Sequence, residues 1–85
     1  MIKDEWGFKE VIENIEALKN QYHGFLTSFS IFERKKGIKL CREFKTKLYR
    51  LKFDEHRKNL IWKYINDEIE YEEMFWIRHI LIIML

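Results

Sequence analysis

At 85 residues the chain makes one domain, near the size at which a single core is only marginally sufficient. Hydrophobic residues make up 47% of it and proline is absent, which excludes a disordered linker and leaves ample material for a core. The formal net charge of +2 conceals a segregated distribution: Arg34–Lys58 carries eleven Lys/Arg against three acids, and Asp67–Glu73 carries five acids and no base.

The N-terminus is charged and amphipathic, unlike a secretory leader. Asp4 reads as a helix N-cap. Behind it Phe8, Val11, Ile12, Ile15, Leu18 and Tyr22 recur at three- and four-residue steps, which predicts an amphipathic helix ending near Gly24. Phe25, Phe29 and Phe32 continue that spacing to Lys36, with Gly37 as the C-terminal stop of a second helix. Phe25, Phe29 and Ile31 also fit a strand.

The pattern then changes. Lys47–Phe53 alternates, with Tyr49, Leu51 and Phe53 on one face and Arg50 and Lys52 on the other, as in a strand. Residues 54–59 are polar and suit a hairpin loop. Leu60–Ile65 is aromatic and β-branched, as in a strand buried on both sides. Asn66 and Asp67 signal a turn, and Phe75–Ile83 supplies a third apolar run. The expected fold is therefore α+β, an N-terminal helical hairpin packed on a small antiparallel β-sheet. An all-α bundle is the alternative, because Leu40, Phe44, Leu48 and Leu51 also have helical spacing. Residues 55–84 contain neither Gly nor Pro and suit one long helix equally well.

The C-terminal run from Met74 to Leu85 is too short to cross a bilayer as a helix and is interrupted by Arg78 and His79. It reads as a buried strand or docked helix, with a membrane-surface anchor as the lesser reading. The single Cys41 has no intrachain disulfide partner, which suits a reducing, cytoplasmic setting. No Gly-rich phosphate loop and no Cys/His metal spacing occurs, so neither metal nor cofactor is expected. His23, His56 and His79 are scattered.

The basic middle carries the functional signal. Cations converging on one face can hold a phosphodiester and stabilise added charge in its transition state. Such a face can equally be a solvated surface, or dock an acidic protein.

The stretch Lys47-Leu-Tyr-Arg-Leu-Lys-Phe-Asp-Glu-His-Arg-Lys-Asn-Leu-Ile-Trp-Lys-Tyr-Ile-Asn-Asp resembles the central hairpin of the RelE/ParE toxin superfamily. The upstream order of helical hairpin, Gly37 and basic segment is most similar to the phage-derived HigB-type branch. The resemblance covers roughly residues 8–67. It implies a type II toxin that is a ribosome-dependent, metal-free mRNA endonuclease. Its partners would be mRNA on the ribosome and a cognate antitoxin. By position it makes Arg50 and Lys52 the basic strand residues and Arg57 the loop arginine, with His56 where tyrosine is usual. Arg78 and His79 would fall on the last strand. Lys52 would be the proton acceptor, because Arg50 and Arg57 stay protonated and serve as phosphate clamps. Lys45, Lys47 and Lys58 would contact RNA. Only Met1–Lys3 precedes the helices where the family begins with a strand. The family's C-terminal basic or tyrosine motif is absent, leaving His79 and Tyr71 to supply a general acid.

Two further functions fit the same residues. One is a non-enzymatic phage or mobile-element inhibitor that occupies a protein or nucleic-acid site through the basic middle; a nearly pure helical fold would favour it. The other is a sequence-tolerant RNA or DNA binder, with affinity that falls steeply with salt.

Overall fold

The computed structural model describes residues 1–75. Every regular element in that range is helical, in the order α1 (Phe8–Glu13), α2 (Ile15–Thr27), a 3-10 turn (Ile31–Glu33), α3 (Arg34–Arg50) and α4 (Glu55–Ile65). The expected antiparallel sheet is thus overturned, and the all-α alternative fits the described residues.

The first predicted helix is two. Asp4 lies in a turn, and α1 instead starts from Gly7, whose N–H donates to the Glu10 carboxylate at 2.9 Å. The backbone N–H of Glu10 itself, and then that of Gly7, hold the Glu10 carboxyl below its ordinary range. Asn14 interrupts the helix, and its side-chain amide donates to the Glu10 carbonyl at 2.9 Å. The apolar stripe nevertheless runs through both pieces, since Val11, Ile15, Leu18 and Tyr22 are all buried.

Gly37 does not end a helix. It lies inside α3, and the chain reverses earlier, between Ser28 and Glu33. The lack of a side chain serves packing: a Cβ on Gly37 would meet the Phe25 carbonyl oxygen at 2.7 Å and the Phe29 ring at 3.0 Å. Antiparallel α2 and α3 therefore close on each other here. Phe44 and Leu48 bury the same side of α3 lower down, with the Phe44 ring 5.4 Å from that of Tyr22.

The strands read over 47–53 and 60–65 are helix as well. Residues through Arg50 belong to α3, and only at Leu51 does the backbone become extended, with ψ 149°. The alternation of Tyr49, Leu51 and Phe53 comes from a helix end running into a turn. The supposed hairpin loop holds the start of α4. Asp54 caps it by accepting the Arg57 N–H at 3.0 Å, which satisfies one of the donors a helix leaves open at its N-terminus. Leu60, Ile61, Tyr64 and Ile65 are buried at helical spacing. The turn expected at Asn66 and Asp67 is present. Asp67 takes φ 60°, its N–H bonds the Tyr64 carbonyl, and the Glu68 N–H bonds the Lys63 carbonyl, a Schellman arrangement. A single helix from 55 onward therefore stops at Ile65.

α4 lies against the α2–α3 hairpin. Trp62 meets the Tyr22 ring at 5.0 Å, and His23 Nε2 donates to the Ile65 carbonyl at 2.7 Å. The Tyr64 hydroxyl donates to the Glu16 carboxylate, which together with burial pushes the phenol up to about 12. Leu18, Leu48, Leu51, Ile61, Ile65 and Met74 form the centre of the core. No described helix is long and apolar enough to cross a membrane. The third apolar run after Phe75 lies outside the described residues.

Candidate anion-binding face

α3 carries eight Lys/Arg in RKKGIKLCREFKTKLYR, against the single acid Glu43. With 3.6 residues per turn, Gly37, Phe44 and Leu48 turn one side of this helix inward. Lys35, Lys39, Arg42, Thr46 and Arg50 follow each other at three- and four-residue steps on the opposite side, and all are exposed. A shallow groove follows this side, lined by Lys39, Arg42, Glu43, Thr46, Lys47 and Arg50. Between Lys35 and Arg50 the row rises about 22 Å, at 1.5 Å per residue.

The cations of this row are not neutralised locally. The ion pairs among the described residues are Lys19–Asp67, His23–Asp67 and Arg57–Asp54, and none of these includes an α3 cation. The first turn of α3 holds Arg34, Lys35 and Lys36 and no acid. A helix N-terminus already bears partial positive charge, and acids there are stabilising. Three cations in that position cost stability and concentrate positive potential.

The residues expected to form a cleaving site fall in different places. Arg50 ends α3 on the outward row, whereas Lys52 is exposed in the connection to α4, so the two share no strand face. Arg57 is held in the first turn of α4. Its guanidinium stands 3.3 Å from the Asp54 carboxylate and lies over the Phe8 ring at 4.6 Å. Lys58 is buried, and its ammonium donates to the Tyr49 carbonyl at 2.9 Å, closing the end of α3. Its ammonium is thus engaged within the fold, unlike those of the exposed row. Lys47 borders the groove, and Lys45 reaches over the Trp62 ring at 5.1 Å. Arg78 and His79 lie outside the described residues. Tyr71 stacks edge-on with Tyr64 and Phe75.

Sequence reasoning included Lys35, Lys39 and Arg42 in the basic region without singling them out. Their signal was the spacing 35-39-42-46-50. It was hidden by taking Gly37 as a helix end and by changing period at Lys47.

No group of three or more His, Cys, Asp or Glu able to hold a metal occurs among the described residues. Cys41 is half-buried, and burial pushes its thiol up, away from the reactive thiolate. Compared with protein-family models, curated proteins and solved structures, the chain finds no match in any of the three. The RelE/HigB resemblance thus rests on the residues quoted for it alone.

Proposed function

We propose that the chain is a non-enzymatic nucleic-acid-binding module that lays the outward face of α3 along a phosphate backbone. The observation that carries this is the row of unpaired cations from Lys35 to Arg50. A linear row suits a polymer of regularly spaced charges better than an acidic protein surface, where a shape-matched patch would serve. Cleavage of mRNA would require Arg50, Lys52 and Arg57 to converge on one phosphate. With Lys52 on a connection and Arg57 engaged by Asp54 and Phe8, binding without cleavage is the better-supported reading. Occupying a nucleic-acid site is the expected mode of action, and no antitoxin is needed for it.

Fluorescence anisotropy against single-stranded RNA and duplex DNA over a salt series tests this. Wild-type affinity should fall linearly on a log–log plot against salt. Lys39→Gln with Arg42→Gln removes two phosphate contacts and should make the slope shallower by about 1.4 on RNA or about 1.8 on duplex DNA. An unchanged slope in a double variant with the wild-type circular dichroism spectrum would remove α3 as the binding face.

A further inference from the structure

The 3-10 turn that leads into α3 carries the most exposed large apolar side chains of the described residues, Phe32 at 98% and Ile31 at 89%. Folding ordinarily removes such surface from water, and a phenyl ring is among the side chains that gain most from burial. The turn meets α3 at Glu33, the N-cap residue, whose φ of −103° and ψ of 10° are not helical. Phe32 stands two residues before Arg34 and three before Lys35, beside the three exposed cations of the first turn of α3.

Resting on the nucleic-acid reading above, we propose that Phe32 stacks on, or wedges beside, a base of the strand whose phosphates lie along α3. Apolar wedges and aromatic platforms next to basic grooves engage bases in this way, and they tolerate sequence because every base has a π face. Charge complementarity favours this occupant over a lipid surface. An anionic membrane meeting the turn would engage Ile31, Phe32 and Arg34–Lys36 and leave Arg42, Lys47 and Arg50, on the later turns of α3, without a partner. A strand running along the helix uses both parts. Leu26 and Ile38, 55% and 43% exposed, border a shallow pocket with Arg34.

The experiment uses the full chain and RNA carrying 2-aminopurine at successive positions, with anisotropy and base fluorescence read together. Wild-type protein should change the fluorescence of the probe base on binding. Phe32→Ala should abolish that change and weaken binding by about five- to a hundredfold, the range of one lost base stack, with the salt slope unaltered. Phe32→Trp should restore both. Because the ring is exposed, the alanine variant keeps its core. Wild-type binding with a normal salt slope but no effect of Phe32→Ala overturns the stacking role and leaves the phosphate reading standing. No salt-dependent wild-type binding overturns both. Phe32-dependent sedimentation with phosphatidylserine vesicles, or a Phe32-dependent dimer, at unaltered RNA affinity assigns the ring to lipid or to a second copy and overturns the proposal.

Discussion

A lysine ammonium is rarely buried unless it is paired, yet Lys58 is only 6% exposed. Its position follows from the end of α3. The last carbonyls of a helix lack intrahelical donors, and the Tyr49 carbonyl takes its donor from the Lys58 ammonium. The Phe53 ring lies 5.6 Å from the same nitrogen and supplies a second, weaker attraction. The Tyr49 hydroxyl in turn donates to Asn59 at 2.5 Å, so neighbouring residues of α4 hold both ends of this tyrosine. Lys58 and Lys47 therefore separate by role although sequence placed them together. Lys58→Ala should cost about 1–3 kcal/mol in urea denaturation, the penalty for an unsatisfied buried acceptor, and leave nucleic-acid affinity of the folded protein unchanged. Lys47→Ala should do the reverse, with unchanged urea midpoint and weaker binding. Equal stability of the two variants would refute the capping role of Lys58.

At the scale of elements, the buried stripe through α1 and α2 was legible because Val11, Ile15, Leu18 and Tyr22 keep one period across the break at Asn14. α4 was misread because Leu60–Ile65 is rich in strand-favouring residues. β-Propensity is a weak prior, and the helix is decided by its ends and its packing. Its ends lie where the sequence reads as a loop and a turn: Asp54 is the N-cap, and Asn66-Asp67 form the stop. The Asp67 stop also ties α4 to α2. Its carboxylate pairs with the Lys19 ammonium at 2.6 Å, which with the nearby His23 holds the Asp67 carboxyl below its ordinary range. A depressed folded-state value gives stability that is present above the unfolded value, about 4, and lost as pH falls through the folded one. Asp67→Asn keeps a residue tolerant of the left-handed conformation and removes the charge. Urea midpoints should show wild type above the variant at neutral pH, with the gap closing below about pH 4. A gap of constant size from neutral pH to pH 3 would deny the ion pair its share.

For the whole molecule, buried side chains are unevenly spread along the α2–α3 hairpin. Val11 to Tyr22 on one side and Phe44 to Leu51 on the other pack with α4, but from Phe25 to Leu40 only Gly37 is buried. That half of the hairpin, which bears Phe32 and the first cations, is held by the close approach of Gly37 to Phe25 and Phe29. Few buried apolar contacts mean a low cost of local opening. Native-state hydrogen exchange should therefore find amides of residues 24–40 opening at lower free energy than those around Leu48 and Ile61. Gly37→Ala pits alanine's better helix propensity, about 1 kcal/mol, against a contact with backbone that cannot swing away. The contact should prevail, because separating the two helices also loosens the Phe29 packing. Exchange should then rise in residues 24–40 and stay at wild-type rates in the body. On the proposed nucleic-acid reading, bound RNA should raise protection in that half. Uniform acceleration across all helices would instead mean that the hairpin end and the body unfold as one unit.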